Sequence, residues 1–384
     1  MASYNSAGIV RPRFLALDSS HLIAAARDKH SAEKVRQRSA NRFEESLLDS
    51  GCIPLLCWHH VEELLKHRDE RVVADRVGFI HALPMVAWIR DYTGAEGLGS
   101  VVDILAAEAA AALESPLANV VGIRDRTAEG LITFGTGAQA IGPYVNTWRE
   151  LQLELWQREE RTREIVAISR STYVDNSKTK VVDLLKGKIR APGDANHQLD
   201  ALRKRLAEDI GVRGDKRIPD PWVVAANFLG EVRQAAAPML SGMPNAVLHF
   251  LLQEDIEIAD ITPETTLGEI CELSTFRKKL HVANMSLGVP WPRLKSKVIM
   301  DRIPSWVIQI GLNCHGHDLA ERKGSELIDT YLACLSAYAD ITYVDKRTKE
   351  NFRRARGKSP EFASVVRRVE KASRYSEIAQ HILC

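Results

Sequence analysis

Two short apolar segments that each end in an aspartate decide the fold expected for this chain. The first is Phe14-Leu-Ala-Leu-Asp18, and the second is Ile341-Thr-Tyr-Val-Asp345, near the other end of the 384 residues. Compact runs of aliphatic and β-branched residues, bounded by turn or cap residues, predict buried strands. Because ligands of open parallel sheets collect at the carboxyl ends of the strands, an acid at that position points into a prospective site.

The sequence around these two segments continues the same pattern. Apolar runs at 53–57 and 84–89 predict further strands, and helices are predicted at 31–48 and 58–67. Towards the carboxyl end, an amphipathic helix is predicted at 325–338 before the Ile341 strand. A charged helix and a final amphipathic helix at about 362–382 are predicted after it. This alternation of strands and helices predicts an α/β fold with a parallel central sheet.

The middle of the chain has a different pattern, which is mostly helical and is interrupted by proline and glycine. We therefore predict a discontinuous α/β domain formed by residues 13–95 and 315–384. Residues 96–314 would form a large all-helical insertion.

Composition sets broad limits on the class of protein. The chain is 45% hydrophobic and 27% charged, which is typical of a soluble globular protein, and its net charge of +2 neither demands nor excludes a nucleic-acid partner. The six cysteines are scattered without a CxxC pair, which favours a reducing compartment. No stretch is typical of a secretory signal or a membrane span. We expect a cytoplasmic protein with no membrane partner.

Further acids are predicted near the same edge of the sheet. Glu62 and Glu63 follow the second strand in CWHHVEELL, and Asp329 precedes the Ile341 strand in GSELIDTYLACL, each placed at the start of a helix. Clustered carboxylates repel one another unless a divalent cation neutralises them. Mg²⁺ or Mn²⁺ prefers such oxygen ligands and can assist phosphodiester hydrolysis.

Three motifs resemble those of the PIN family of nucleases: LDSSHLI at 17–23, LCWHHVEELL at 56–65 and DTYLACLSAYADITYVDKR at 329–347. The resemblance covers about residues 13–90 and 320–356. It implies an α/β/α PIN-like sandwich and a Mg²⁺- or Mn²⁺-dependent endonuclease that cuts single-stranded or structured RNA. The metal ligands and catalytic residues implied are Asp18, Glu63, Asp329 and Asp345. Counting from Cys57, where the family often has serine, favours Glu63, and Glu62 stays open as the alternative.

A basic stretch follows Asp345. Its members are Lys346, Arg347, Lys349, Arg353, Arg354, Arg356 and Lys358, against the single acid Glu350. Such a stretch can hold a phosphate backbone without reading base sequence, and Lys346 and Arg347 are the predicted substrate-binding residues nearest the acids. The alternative is an ordinary solvated helix face.

Three other features carry weaker predictions. Cys314, His315 and His317 are close in sequence, but a zinc site would need further ligands. Gly135, Gly137 and Gly142 fit neither spacing of the known phosphate loops. The charged helix predicted at 148–170 would serve self-association or a protein partner, or would pack within its own domain.

Two other functional hypotheses compete with the nuclease. One keeps the PIN-like fold as a catalytically inactive scaffold that binds RNA or a protein partner. The other is a mainly helical interaction protein in which the aspartates only cap helices, which is the commoner role of a lone aspartate after a strand.

Overall fold

The computed structural model describes residues 12–94, 97–142, 148–169, 177–186, 192–235, 237, 246–316 and 325–383. They form a mixed α/β protein with a six-stranded, mostly parallel sheet. The chain divides into two compact units. The sheet unit comprises Met1–Gln152, Lys297–Gly316 and Thr330–Cys384, and the helical unit comprises Leu153–Ser296 and His317–Asp329.

The sheet has the strand order β4-β3-β2-β1-β5-β6. The strands are β1 (Arg13–Leu17), β2 (Cys52–Leu56), β3 (Val86–Ile89), β4 (Ile132–Gly135), β5 (Ile341–Val344) and β6 (Arg368–Lys371). All neighbouring strands are parallel except β3 and β4. From β1 the chain moves to β2 and β3 on one side and later returns to β5 on the other side. The strand order therefore reverses between β1 and β5.

The first helices in chain order are α1 (Ser19–Lys29), α2 (Lys34–Asp49), α3 (Trp58–Leu65), α4 (Glu70–Ala82), α5 (Val101–Glu114), α6 (Val120–Leu131), α7 (Gly137–Ile141), α8 (Trp148–Ser169), α9 (Val181–Lys186) and α10 (Pro192–Arg213). They are followed by α11 (Pro221–Ala235), α12 (Ala246–Gln253), α13 (Leu267–Leu287), α14 (Trp291–Lys297), α15 (Pro304–His315), α16 (Ser325–Ala333), α17 (Lys346–Lys358), α18 (Pro360–Val365) and α19 (Tyr375–Leu383). Short 3-10 helices lie at Ile258–Asp260, Met300–Arg302 and Cys334–Ala337.

The helices of the sheet unit contact one another in two groups. One group contains α1, α2, α3, α4, α7 and α19, and the other contains α5, α6, α15, α17 and α18. Strands β2, β3 and β5 are buried along their whole length, as is β1 from Phe14 onward. Near-continuous apolar strands of this kind are expected where helices cover a parallel sheet. The predicted α/β class with a parallel sheet is confirmed.

The two units do not follow the predicted boundaries at 96 and 314. Helices α5, α6 and α15 belong to the sheet unit rather than to a separate insertion. Polar contacts contribute to this: the Arg302 guanidinium donates to the carbonyl oxygens of Ala118 and Ser115, at 2.8 Å each. Residues between the predicted boundaries are also not all helical, because β4 pairs antiparallel with β3 at the sheet edge.

The last part of the chain corrects a second prediction. The helix predicted at about 362–382 is interrupted, since α18 ends at Val365 and β6 pairs with β5 before α19 begins. Strand β6 is a four-residue edge strand in which Val369 is buried and Arg368 is exposed. So short an alternation cannot be distinguished from a helix pattern in the sequence.

A buried junction of three side chains holds α5 to the rest of the sheet unit. Glu108 of α5 is fully buried and accepts hydrogen bonds from the Tyr338 hydroxyl at 2.6 Å and the Ser305 hydroxyl at 2.5 Å. The Ser305 N–H also donates to it, at 2.9 Å. Burial raises the pKa of Glu108 to about 7, although these donors favour the charged form. We call Glu108, Ser305 and Tyr338 the buried junction.

Candidate functional site

Asp18 and Asp345 follow directly after two neighbouring parallel strands. Asp18 comes after β1 and Asp345 comes after β5, and the register pairs Leu17 with Tyr343. The Asp18 N–H donates to the Tyr343 carbonyl oxygen at 3.1 Å, which fixes this end of β1 against β5. Both aspartates therefore lie at the point where the strand order reverses. Open α/β sheets bind ligands in the crevice at that point.

Each of these aspartates also caps the helix that follows it. Asp18 Oδ1 accepts a hydrogen bond from the Ser20 N–H at 2.8 Å at the start of α1. Asp345 Oδ1 accepts one from the Thr348 N–H at 2.6 Å at the start of α17. The capping role predicted for lone aspartates is thus present. Because a cap uses one carboxylate oxygen, it leaves the other oxygen for a further ligand.

Glu63 of α3 is an acid on which the charge of Asp18 acts. Its side chain is half-buried, and burial raises its pKa. The charges of Asp18 and Glu62 act in the same direction, whereas the nearby Ser19 hydroxyl and Lys66 lower the pKa. The Ser19 hydroxyl is itself buried, and it forms no hydrogen bond of regular geometry within the part of the chain that the structure describes. It lowers the pKa of Glu63 because it lies near that carboxylate. Negative charges that raise the pKa of a neighbouring acid favour a bound proton or a bound cation there.

Glu62 faces a different set of side chains. It is only 7% exposed, and its Oε2 accepts a hydrogen bond from His59 Nδ1 at 3.1 Å. His59 Nε2 accepts one from the Val101 N–H at 3.4 Å, so the proton of the ring sits on Nδ1. Glu62 thereby connects α3 to the start of α5. Lys66 also pairs with Glu62, at 3.8 Å, so the two glutamates share this cation and the choice between them as a metal ligand stays a prediction.

His60 fixes α3 to the end of β1. Its Nδ1 accepts a hydrogen bond from the Cys57 N–H at 3.1 Å, so Nε2 carries the proton and donates to the Leu17 carbonyl oxygen at 2.9 Å. Burial lowers the pKa of His60 to about 4, which keeps the ring neutral, as this arrangement requires. Burial also raises the pKa of the Cys57 thiol to about 12. The hydrogen bonds of His60 to Cys57 and Leu17 therefore hold the start of α3 against the end of β1.

The positioning role of His59 and His60 was not predicted from the sequence. The signal that identifies His60 is its spacing, three residues after Cys57 at the helix N-cap. At this spacing a side chain can accept the free N–H of the cap residue.

Asp329 does not open its helix as predicted. Helix α16 begins at Ser325, with Glu326 in its first turn, and Asp329 is its fifth residue and half-buried. This start is the one predicted for the amphipathic helix at 325–338, and the acid in its first turn is favoured by the helix dipole. The division between the two units falls directly after Asp329. The structure thus brings Asp18, Glu63 and Asp345 into one unit without Asp329. We call these three residues the strand-end cluster.

Lys346 and Arg347 occupy the first turn of α17, next to Asp345. Lys346 is exposed, and it forms no ion pair with an acid in the part of the chain that the structure describes. Further along, cations of the basic stretch are engaged in the fold. Arg353 and Arg354 pair with Glu350, Lys349 pairs with Glu370, and Arg356 donates to the Val366 carbonyl oxygen. Lys346, the cation next to Asp345, is therefore not among those that the fold already engages.

The remaining candidates gain no support from their surroundings. Cys314 and His315 end helix α15, and His317 lies outside the described residues. Gly137 is explained by packing, since a Cβ there would meet the Ile80 carbonyl oxygen at 1.8 Å. The predicted helix at 148–170 is present as α8, and its Gln152 side chain donates to the Leu65 carbonyl oxygen at 3.1 Å.

Within the described ranges, no group of three or more histidine, cysteine or acidic residues is arranged to hold a metal ion. The chemistry of the strand-end cluster nevertheless suits Mg²⁺ or Mn²⁺, since all of its donors are carboxylate oxygens. Burial is the main cause of the raised pKa of Glu63, and a cation would offset the negative charge of Asp18 that adds to it.

Comparison with known families, with curated proteins and with solved structures found no match to this chain. In the part of the chain that the structure describes, no helix is both long enough and apolar enough to cross a membrane. The resemblance to the PIN family therefore rests on the three motifs alone and stays a prediction.

Proposed function

We propose that this protein is a metal-dependent endonuclease of the PIN type that hydrolyses phosphodiester bonds in single-stranded or structured RNA. One observation carries the proposal: Asp18 follows β1 and Asp345 follows the adjacent parallel β5, where the strand order reverses, and the charge of Asp18 acts on Glu63 of α3. This is the ligand-binding position of open α/β sheets. The α/β/α sandwich of the family agrees with the two groups of helices in the sheet unit.

The residues of the strand-end cluster would hold Mg²⁺ or Mn²⁺ as cofactor. Such an ion supplies electrostatic stabilisation of the phosphodiester and a water molecule of lowered pKa. Asp18 and Glu63 would provide carboxylate oxygens, Ser19 and Lys66 lower the pKa of Glu63, and His60 fixes the backbone directly before Asp18. Lys346 and Arg347 would hold the phosphate backbone. Asp329 belongs to the other unit, and the proposal does not depend on it.

A second candidate function is a PIN-like scaffold that binds RNA or a protein without cleaving it. The observation in its favour is that Asp18 and Asp345 each cap a helix, so the structure alone gives a reason for both aspartates. This candidate predicts RNA binding with no metal-dependent cleavage. The same assay therefore separates it from the nuclease.

The test is cleavage of labelled single-stranded RNA by the full chain, with Mg²⁺, with Mn²⁺ and with chelator. The decisive variant is Asp18→Asn, because asparagine is as good an N-cap as aspartate and so preserves the start of α1. We expect the variant to fold normally and to lose metal-dependent cleavage by about 100-fold or more. Mn²⁺ affinity measured by calorimetry should fall in parallel.

Cleavage that survives in Asp18→Asn at the wild-type rate comes from another site or from a contaminant, and it would contradict the proposal. A wild-type protein that binds RNA but shows no cleavage with either metal supports the scaffold. A parallel reaction with single-stranded DNA determines whether the substrate is restricted to RNA.

A further inference from the structure

The helical unit contains a half-open pocket with a volume of about 560 Å³. Its floor consists of the buried aliphatic side chains Val181, Leu251 and Ile270, and Phe250 and Leu184 extend the apolar wall. Pockets that bind small molecules have volumes of roughly 300–1,000 Å³, apolar walls and a few placed polar groups. Both the size and the lining therefore fit a small apolar ligand, and the lining fits an aliphatic chain best.

The polar groups of this pocket are concentrated around Glu254. The Lys278 ammonium lies 2.5 Å from Glu254 Oε2, and the Ser274 hydroxyl donates to the same oxygen at 2.6 Å. The side chains of Glu254 and Lys278 are 28% and 63% exposed, so this ion pair stands at the mouth rather than at the floor. Glu254 Oε1 keeps its acceptor capacity, and the Lys278 ammonium keeps further N–H donors.

We infer that this pocket binds a neutral amphiphile, with an aliphatic chain in the pocket and a hydroxyl or amide head at the Glu254–Lys278 pair. A hydroxyl or amide group can donate to Glu254 Oε1 and accept from Lys278 at the same time. The chain would cover the apolar floor, which supplies the larger part of the affinity. This inference concerns the helical unit and does not depend on the nuclease proposal.

Charged head groups match the mouth less well. A carboxylate head would meet Glu254 and also Asp183, a second acid of the lining, with Lys278 as the one opposing cation among the lining residues. An ammonium head would have to displace or oppose Lys278, whose charge already neutralises Glu254. Desolvating an unpaired charge at the pocket is costly. A neutral head that both donates and accepts avoids that cost.

Cys271 lines the pocket and provides a reporter, and Cys314 in the sheet unit is an exposed internal reference. The experiment treats the full chain with a maleimide and measures the labelling of each cysteine by peptide mass spectrometry. The probes are octanol, decanol and dodecanol, with decanoate and decylamine as charged counterparts. We expect the alkanols to slow labelling of Cys271 but not of Cys314. The alkanol concentration that halves the labelling of Cys271 should fall about 10-fold for each two methylene groups added to the chain.

Two variants on the same helix make the test specific. Thr275→Trp fills the pocket from an exposed lining position, and Val282→Trp places the same side chain on the same helix outside the lining. Protection should be lost in Thr275→Trp and retained in Val282→Trp. The inference is overturned if alkanols do not protect wild-type Cys271, if both variants are protected equally, or if decanoate or decylamine binds more tightly than decanol.

Discussion

Glu63 and Glu108 are two acids of the sheet unit whose pKa values are raised by burial, yet their surroundings differ. Glu108 in the buried junction is surrounded by donors, the Ser305 and Tyr338 hydroxyls and a backbone N–H. Glu63 is instead acted on by the charges of other carboxylates, those of Asp18 and Glu62. The junction is thus complete in its hydrogen bonds, whereas the strand-end cluster has an excess of negative charge. A raised pKa therefore indicates a functional site only when the neighbouring groups leave negative charge without enough donors or cations to compensate it.

The largest expected effect concerns the buried junction. Glu108→Ala should lower the free energy of unfolding by about 3–5 kcal/mol, because it creates a cavity and leaves the Ser305 and Tyr338 donors buried without an acceptor. Denaturant unfolding at about pH 5, where folded Glu108 is protonated, measures it. The matched control is Glu114→Ala on the same helix, whose carboxylate pairs with Arg126 and is 62% exposed. This control should change the free energy by less than about 0.5 kcal/mol. Equal losses in both variants would contradict a role specific to the junction.

The pH dependence of stability should carry the signature of Glu108. Its pKa rises from 4.5 to about 7 in the folded protein, so the folded state holds a proton more tightly than the unfolded chain between these values. This contribution to stability is present below pH 4.5 and is lost as the pH rises through 7. The loss amounts to about 3 kcal/mol.

The measurement compares denaturant unfolding of the wild type and of Glu108→Gln across that range. The stability difference between the two proteins should shrink with rising pH, because glutamine does not titrate. A difference that is constant with pH would show that Glu108 does not change its protonation there.

His60, beside the strand-end cluster, should give the opposite slope. Burial lowers its pKa from 6.5 to about 4, so the neutral ring contributes stability above pH 6.5. That contribution is lost as the pH falls through 4, and it amounts to about 3 kcal/mol. The stability difference between the wild type and His60→Gln should therefore grow with rising pH in this window. A difference that shrinks would mean that the ring is protonated in the folded protein.

The next prediction distinguishes the roles of the neighbouring acids Glu63 and Glu62. Glu63→Gln should reduce metal-dependent RNA cleavage by about 100-fold with little change in stability. Glu62→Gln should leave the rate within a few-fold, and its effect should fall on stability, since Glu62 accepts a hydrogen bond from His59. Cleavage rates at saturating Mn²⁺ and unfolding curves of both variants show which of the two acids serves cleavage and which serves stability. The reverse pattern would assign the metal to Glu62 and correct the geometry proposed here.

The strands of the site were predictable because their chemistry is local. Apolar runs ending at Leu17 and Val344 give β1 and β5, and the aspartates follow them in sequence. What could not be predicted depends on contacts between distant residues. The burial of Glu108 against Tyr338 draws α5 into the sheet unit, and no local pattern indicates it. Glu62 and Glu63 are likewise adjacent in sequence and differ only through the residues that each one meets.

The smallest effect tests whether Lys346 has a functional rather than a structural role. A cation in the first turn of a helix interacts unfavourably with the helix dipole. The first turn of α17 contains no acid that would offset this unfavourable interaction of Lys346. Lys346→Ala should thus stabilise the fold slightly, by up to about 0.5 kcal/mol. RNA binding to the same variant should weaken by about threefold to tenfold, and the salt dependence should lose about one phosphate contact.

The matched control for Lys346 is Lys358→Ala, which removes the same exposed side chain from the last turn of the same helix. There a cation favours the dipole, so this variant should lose slight stability and keep its RNA affinity. For each variant, a salt titration of RNA binding gives the affinity, and an unfolding curve gives the stability. If the two lysines weaken binding equally, the basic helix attracts RNA only through its total charge. If neither does, the substrate does not approach along α17, and the strand-end cluster must receive it from another direction.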